Sequence, residues 1–256
     1  MIYITGDVHS RIEGNWEQGE LESELDNSIK YLKVLKKHRL SCTLFVNGVL
    51  LKNEARKVKE ILSYDVEMGG HTYDNFGKFG IIKSYINRKN YSCVYGSPRF
   101  QRKDIVKTRK AFESLGLEMK SWRTHAFGSN ETTFKILREN GVKYVSDLLG
   151  KTRPFQKNGI IHMPINIPVD VVTIAYGQTK PESRDVFASC TKGRIEPEEW
   201  FEILKKRISD NEKKKIASIL LIHPQTMAVL DNFKMFENVA KFLSKYKSGK
   251  ISEFKI

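Results

Sequence analysis

Cysteine is scarce in this chain, which carries only Cys42, Cys93 and Cys190 among its 256 residues. Three scattered cysteines make neither a CxxC metal motif nor an even set of disulfide partners, so a disulfide framework is excluded and a reducing compartment is favoured. Long apolar runs are also missing, and no stretch approaches the ~20 residues that a membrane-spanning helix needs. Residues 1–5 have the pattern of a strand and not of a signal peptide. We therefore expect a cytoplasmic protein with no membrane span.

Acidic residues are few compared with basic ones: 30 Asp and Glu stand against 44 Lys and Arg, giving a formal net charge of +14. Much of the excess lies in Lys-rich runs at 205–207 and 213–215, which we interpret as solvated helix faces. An anionic polymer would also fit the charge, and a nucleic-acid-binding protein would lose affinity steeply with salt. Because no nucleic-acid motif accompanies the charge, we rank that function last and expect no specific nucleic-acid partner.

The apolar pattern alternates between strands and helices. An apolar content of 40% is typical of a globular protein, and the length allows one large α/β domain or two smaller ones. The predicted helices, from apolar spacings of three and four, are 20–38, 53–63, 101–115, 130–140, 197–214 and 233–246. The predicted strands are 2–5, 42–46, 66–68, 142–146, 160–163, 169–174 and 218–222, whereas 77–100 stays unassigned. This alternation predicts crossover connections and a mostly parallel sheet.

Short polar clusters follow several of the predicted strands. Since the carboxyl ends of parallel strands meet at one edge of the sheet, or at one mouth of a barrel, these side chains are expected to share a pocket. The clusters are Asp7 with His9, His71 with Asn75, Arg123 with His125, Asp147, and His223.

The stretch from Gly69 to Asn75 is the most suggestive of these clusters. We expect the glycine pair Gly69-Gly70 to let the backbone turn sharply, and His71 and Asn75 to project from one face of a short helical turn. Imidazole and oxygen donors suit zinc or another first-row divalent ion, with positions left for water. A nearby carboxylate could then accept a proton while another histidine protonates a leaving group, so the pattern favours metal-assisted hydrolysis.

An ordered set of motifs resembles the polysaccharide deacetylases, the NodB-type proteins of carbohydrate esterase family four. Residues 66–75, read VEMGGHTYDN after the FVNG of 45–48, are similar to the second motif of that family. Four further segments resemble the first, third, fourth and fifth motifs of the family. In that order they are 5–9 (TGDVH), 122–125 (WRTH), 144–147 (YVSD) and 221–224 (LIHP). No single motif is specific, but the ordered set spans nearly the whole chain.

The resemblance implies a distorted (β/α) barrel of seven or eight strands, formed by residues 1–256 as a single domain. It also implies metal-dependent removal of an acyl group from an N-acylated sugar or a related small amide. By position, Asp7 is the catalytic base and Arg123 its partner, whereas His223 is the general acid. Asp147 is expected to orient His223, with Asp170 as the alternative.

The metal ligands implied by the resemblance are His9, His71 and Asn75, with Zn2+ as the expected ion. Two of them depart from the family pattern, because Asn75 stands where a second histidine is usual and His9 where an aspartate is common. The two changes could compensate, with Asn75 or Asp74 as the third donor, or they could mark a protein that has lost its metal and binds a carbohydrate or another ligand. The third motif lacks the usual proline after Arg123, and His125 is a possible extra polar group.

Overall fold

A single eight-stranded sheet organises the part of the chain that the structure describes. The structure is a computed structural model, and it describes residues 1–10, 23–76, 80–91, 93–149, 153–174 and 195–256. The strands are β1 (Ile2–Val8), β2 (Cys42–Val46), β3 (Val66–Gly70), β4 (Ser121–Trp122), β5 (Tyr144–Val145), β6 (Phe155–Lys157), β7 (Ile160–His162) and β8 (Ser218–Leu221).

The strand order is β6-β7-β5-β4-β3-β2-β1-β8, and every neighbouring pair except β6 with β7 is parallel. Register places Asp7 of β1 beside Phe45 of β2, and Gly70 of β3 beside Trp122 of β4. The carboxyl ends of the central strands therefore meet at one edge of the sheet, as the sequence predicted.

Asn166, in the segment after β7, links the far side of the sheet back to β8. Its backbone N–H donates to the carbonyl of Ile219 at 3.2 Å, and its side-chain amide donates to the carbonyl of Ala217 at 2.8 Å. The amide oxygen of Asn166 in turn accepts the N–H of Ile219 at 3.0 Å. These bonds curl the sheet toward a barrel without a strand ladder at the seam, which agrees with the expected distorted (β/α) barrel type.

Helices surround the sheet, and their bounds are α1 (Glu24–Lys37), α2 (Gly48–Asn53), α3 (Ala55–Ile61), α4 (Gly80–Tyr91), α5 (Pro98–Glu113), α6 (Glu131–Glu139), α7 (Asp170–Ile174), α8 (Pro197–Lys213), α9 (Pro224–Asp231) and α10 (Lys234–Leu243). The larger apolar core lies between sheet and helices and includes Leu32, Trp122 and Phe236. A smaller core, with Tyr3 and Met163, gathers side chains from the other face of the strands. Both faces of the sheet are thus covered, as parallel sheets require.

Helix α6 begins and ends at residues that suit helix termini. The Asn130 side chain accepts the N–H of Thr133 at 3.0 Å, and the Thr133 hydroxyl accepts the N–H of Asn130, which completes a capping box for α6. Gly141, one residue beyond the C-cap Asn140, has a φ of +85°, a conformation that favours glycine.

Three predicted elements need correction. The predicted strand 169–174 is instead the short helix α7 from Asp170 to Ile174, although Val171, Val172 and Ile174 have strand propensity. The expected helical turn at His71 to Asn75 is an irregular loop. The unassigned region 77–100 contains α4 and the start of α5, while Gly77, Lys78, Phe79 and Ser92 lie outside the described residues.

The two glycines before His71 have a packing role that differs from the predicted one. Both belong to β3, and a Cβ atom on Gly69 would lie 2.5 Å from the Ser121 hydroxyl. A Cβ on Gly70 would lie 2.5 Å from the Trp122 ring. These residues are therefore small because the neighbouring strand packs closely on them, and the sharp turn begins only after them.

Among the described helices, none combines the length and the apolar character needed to cross a bilayer.

Candidate active site

Asp7 and Arg123 form a buried ion pair at the carboxyl end of the sheet. The guanidinium Nη1 donates to the Asp7 carboxylate at 2.7 Å, and the Arg123 side chain is fully buried. Burial by itself raises the pKa of Asp7, but Arg123 and the nearby histidines outweigh it and hold the pKa well below its usual range. Asp7 is therefore ionised at neutral pH and fixed in orientation.

Arg123 is held by further contacts that leave it little freedom to move. It donates to the hydroxyls of Thr5 at 2.9 Å and Ser146 at 2.7 Å, and to the carbonyl of Ser146 at 2.9 Å. Its guanidinium carbon also lies 4.4 Å from the centre of the Phe45 ring. Strands β1, β2 and the segments after β4 and β5 thus converge on one buried cation.

The Nε2 atom of His71 faces the site and carries a free lone pair. Its Nδ1 lies 2.8 Å from the carbonyl of Arg123, and a carbonyl can only accept, so Nδ1 carries the proton. Burial lowers the pKa of His71 to about 3, so the ring is neutral at neutral pH. Its Nε2 lies 3.1 Å from Nε2 of His9 and 3.9 Å from the Asp7 carboxylate.

His9 is oriented toward His71 by Glu24, the first residue of α1. One carboxylate oxygen of Glu24 accepts the backbone N–H of His9 and lies 3.3 Å from its Nδ1. Burial opposes the charged form of His9, but Glu24 outweighs burial and raises the pKa of the ring. The arrangement directs Nε2 of His9 at Nε2 of His71, and two facing lone pairs are stabilised only when a proton or a metal cation lies between them.

His125 completes a cluster of three imidazoles. Its ring centre lies 5.1 Å from that of His9 and 5.6 Å from that of His71, and one nitrogen from each ring fits within 4.8 Å of the others. The Nδ1 of His125 is buried without a hydrogen-bond partner in the described structure. Burial lowers the pKa of His125 well below its usual value, which leaves this ring neutral too. The sequence singled out His125 only as an extra polar group.

Asn75, the third ligand expected from the motif, lies close to the loop that carries His9. Its amide nitrogen donates to the carbonyl of Ser10 at 3.4 Å, and its amide oxygen is buried without a partner in the described structure. An unpaired buried oxygen is costly, so this atom remains available to a ligand. Asn75 and Phe76 both have positive φ values, near +55° and +71°, which marks a strained loop.

Asn47 joins the loops that carry His9 and His71, and the sequence reasoning assigned it no role. Its amide nitrogen donates to the carbonyl of His71, and its amide oxygen accepts the N–H of Ser10 at 2.8 Å. Asn47 of the motif at 45–48 therefore positions two other segments of the site. The sequence indicated residues 45–48 only through their resemblance to a family motif, and that resemblance does not show that Asn47 links the two loops.

His223 is paired with Asp170 and not with Asp147. The Asp170 carboxylate lies 2.7 Å from the ring Nδ1 of His223 and also accepts its backbone N–H at 2.7 Å. Asp147 instead accepts the N–H of Thr124 at 2.6 Å and the hydroxyl of Ser129. The expectation that Asp147 orients His223 is therefore corrected, and the alternative, Asp170, holds. The rings of His223 and His9 are 6.3 Å apart, so His223 borders the imidazole cluster.

A buried carboxyl, Asp104 of α5, supports the loop after β3 from behind. It accepts the N–H of Tyr73 at 3.0 Å and the hydroxyl of Tyr95 at 2.7 Å. Phe76 packs between the rings of Tyr95 and His125, at 5.4 and 5.5 Å. Burial raises the pKa of Asp104 to about 7.

We expect the Asp104→Asn variant to change the pH dependence of stability. A carboxyl whose pKa is raised on folding stabilises the protein below its unfolded pKa, about 3.9, and loses that contribution as pH rises through about 7. The free energy of unfolding of the wild type should thus fall relative to Asp104→Asn by roughly 2–4 kcal/mol between about pH 4 and pH 8. Urea unfolding across this range measures the difference, and parallel pH profiles would contradict it.

The chain matches a model of the polysaccharide deacetylase family over residues 15–145, more than half of its length. It therefore belongs to the polysaccharide deacetylase family, which confirms the resemblance of the motifs. No significant match was found among curated protein sequences.

Solved structures of similar fold include a putative deacetylase, an allantoinase and a pseudoenzyme. A putative polysaccharide deacetylase from Mycobacterium smegmatis is 17% identical, with a TM-score of 0.63 over 93% of this chain and 84% of that one. PuuE allantoinase is 12% identical, with a TM-score of 0.65 over 96% and 84% of the two chains. BA3943 from Bacillus anthracis, a pseudoenzyme of carbohydrate esterase family four, is 18% identical, with a TM-score of 0.56 over 99% and 64%.

The donor set of the site fits a divalent metal ion. Two imidazole nitrogens bound to one tetrahedral zinc at ~2.0–2.1 Å lie ~3.3 Å apart, and the Nε2 atoms of His9 and His71 are separated by 3.1 Å. Glu24 and the Arg123 carbonyl occupy the Nδ1 sides of these rings, as outer partners of metal-bound histidines do. The histidine cluster could therefore hold a metal.

Proposed function

We propose that this protein is a metal-dependent hydrolase that removes an acyl group from an N-acylated sugar or a related non-peptide amide. Family membership supports the reaction class, and the histidine cluster beside an ionised carboxylate supports a hydrolytic site. The observation that carries the proposal is the approach of the His9 and His71 Nε2 atoms, 3.1 Å apart, with the Asp7 carboxylate 3.9 Å from His71.

His9, His71 and His125 are proposed to hold the metal, with zinc the ion that suits three imidazoles best. The motif-based assignment of Asn75 as a ligand remains a competing proposal, because its unpaired oxygen borders the same loop. When bound, the metal would polarise the scissile carbonyl and make water a stronger acid.

Asp7 is proposed as the group that accepts a proton from the attacking water. Asp7 is ionised because the positive charge of Arg123 stabilises its carboxylate. The four hydrogen bonds that Arg123 donates keep the Asp7 carboxylate in one orientation. An oriented carboxylate close to the reacting centre removes the entropic cost of finding a base in solution.

His223 is proposed to protonate the departing amine. It ends the buried segment after β8 and lies beside the cluster, 6.3 Å between ring centres from His9. Asp170 fixes the ring through Nδ1, and Nε2 is proposed as the nitrogen that donates the proton. Asp147 is proposed only as a support of the Arg123 loop, through its bond to Thr124.

We expect Asp170→Asn to lower kcat by about two orders of magnitude, because the amide can stabilise the wrong tautomer of His223. The zinc content should be unchanged. Steady-state kinetics of Asp170→Asn, His223→Ala and the double variant test this role. If Asp170 acts through His223, the double variant should be no slower than His223→Ala, and independent losses that multiply would contradict the assignment.

A second candidate is a family member that binds a carbohydrate without hydrolysing it. The fold similarity to the pseudoenzyme BA3943 and the presence of Asn75 in place of a histidine favour it. The Asn75→His variant separates the two functions. A large gain in zinc affinity would indicate that the natural site is impaired, whereas an unchanged affinity fits a site already complete with His125.

The direct test of the proposal combines metal analysis with an activity assay. Purified protein reconstituted with zinc at neutral pH should retain about one ion per chain and release acetate from N-acetylated sugar oligomers, monosaccharides or small amides. Chelation should abolish the activity, and zinc should restore it. Failure to retain zinc would overturn the metal-dependent reaction, while retained zinc without turnover of any class would favour the binding function.

A further inference from the structure

The segment from Asn75 to Lys103 carries charge of one sign only. Its 29 residues contain seven basic residues and neither aspartate nor glutamate, although acids are frequent in the rest of the chain. The basic residues are Lys78, Lys83, Arg88, Lys89, Arg99, Arg102 and Lys103. Arg102 is paired with Glu139 of α6 at 2.7 Å, whereas Arg88 and Lys89 are exposed on α4. The segment therefore carries a net positive charge over its whole length.

Helix α4, Gly80–Tyr91, presents large apolar side chains to solvent on one face. Ile82, Tyr85 and Ile86 are 60%, 76% and 48% exposed, at the spacing of three and four that places side chains on a single helix face. Lys89 follows at the next turn of the same face. Isolated exposed apolar residues are ordinary, but three together on one face mark an interaction surface.

The opposite side of α4 is attached to the protein. The amide of Asn87 donates to the carbonyl of Val94 at 3.2 Å, and a Cβ on Gly96 would lie 2.7 Å from the same amide nitrogen. Asn87 lies about 150° around the helix from the centre of the apolar face, by the 100° turn of each residue. This anchoring points Ile82, Tyr85 and Ile86 outward.

We propose that this apolar and basic face of α4 docks on an anionic lipid bilayer. Aliphatic and tyrosine side chains beside lysine and arginine are the composition of helices that lie in a membrane interface. Nucleic acid is the weaker match, because isoleucine side chains offer no flat ring on which a base could stack. Anionic headgroups complement a segment without acids, and the net charge of +14 adds attraction over a Debye length of about 8 Å.

The position of α4 gives the docking face a relation to the site. The helix begins four residues after Phe76, whose ring packs on His125 at 5.5 Å. The docking face and the loop that carries His71 and Asn75 are therefore close in the sequence. The inference does not rest on the proposed hydrolysis, because binding to lipid is measured without any substrate.

Vesicle co-sedimentation tests the proposal with full-length protein. Vesicles of phosphatidylcholine with 30 mol% phosphatidylglycerol should bind the wild type, and pure phosphatidylcholine should bind it at least about tenfold more weakly. The Ile82→Ser/Tyr85→Ser/Ile86→Ser variant should bind anionic vesicles at least about tenfold more weakly than wild type. Its unfolding temperature should stay close to that of wild type, because the replaced side chains face solvent.

The matched control is Leu62→Ser/Val229→Ser, which removes exposed apolar side chains 37% and 46% accessible elsewhere on the surface. This control should bind vesicles like the wild type. Equal vesicle binding by the α4 variant and the wild type would overturn the proposal, since net charge alone would then explain the binding. A wild-type dimer in sedimentation equilibrium that the α4 variant abolishes, without vesicle binding, would assign the face to a second copy and also overturn it. Tighter binding to single-stranded RNA than to anionic vesicles would also overturn the proposal.

Discussion

Replacement of His71 with alanine is expected to abolish zinc retention and to lower hydrolysis by about 10³-fold or more, because loss of the metal forfeits several kcal/mol of charge stabilisation. His71 is fully buried, and its tautomer is set by the Arg123 carbonyl, so the alanine variant removes a ligand that is held in one orientation. Zinc content by mass spectrometry and acetate release measure the two effects together.

The matched control is His38→Ala, because His38 is the C-cap of α1 and contacts Glu237 rather than the site. This variant should retain zinc and activity at the wild-type level. Equal zinc retention by His71→Ala and His38→Ala would remove His71 from the metal site. A loss in both variants would show that zinc retention does not depend specifically on the histidine cluster.

The second large effect is expected for Asp7→Asn, which leaves the shape of the side chain but removes its charge. Activity should fall by about 10²–10⁴-fold, the usual contribution of a positioned base, while zinc is retained by the histidines. Stability should also fall, by about 3–5 kcal/mol, because Arg123 is left as an uncompensated buried cation.

The stability effect of Asp7→Asn should depend on pH with a definite sign. The pKa of Asp7 is lowered on folding, so its ion pair stabilises the protein above the unfolded pKa of about 3.9. The difference between wild type and variant is therefore full at neutral pH and shrinks as pH falls below about 4. Asp26→Asn is the control, since Asp26 is only partly buried and pairs with the partly exposed Lys57, and should cost no more than about 1 kcal/mol. Equal costs for the two variants at pH 7 would contradict a buried pair at Asp7.

The ends of the strands could be predicted from the sequence because they depend on residues that are neighbours in the chain. Buried apolar segments such as 42–46 and 218–222 stand out by composition, and each is followed by a polar residue, Asn47 and His223. The parallel arrangement then brings Asp7 and Arg123 together although they are 116 positions apart. The ordered motifs added the family, which the comparisons confirm.

Partners supplied by helices and connecting segments could not be predicted. Glu24 contacts His9 from the first turn of α1, and its position in the sequence looks like that of any acidic residue at a helix start. Asp170 contacts His223 from α7, a helix whose β-branched residues led to the prediction of a strand. His125 joins His9 and His71 through a loop in which Ala126 and Phe127 adopt positive φ, a conformation that neither residue type signals.

Zinc K-edge X-ray absorption of the zinc-loaded wild type, compared with His125→Ala and Asn75→Ala, tests the proposed metal centre most directly. Three imidazole nitrogens are expected at ~2.0–2.1 Å in the wild type and in Asn75→Ala, and two in His125→Ala. Protein that retains no zinc, or a coordination sphere altered by Asn75→Ala and unaffected by His125→Ala, would contradict the three-histidine site.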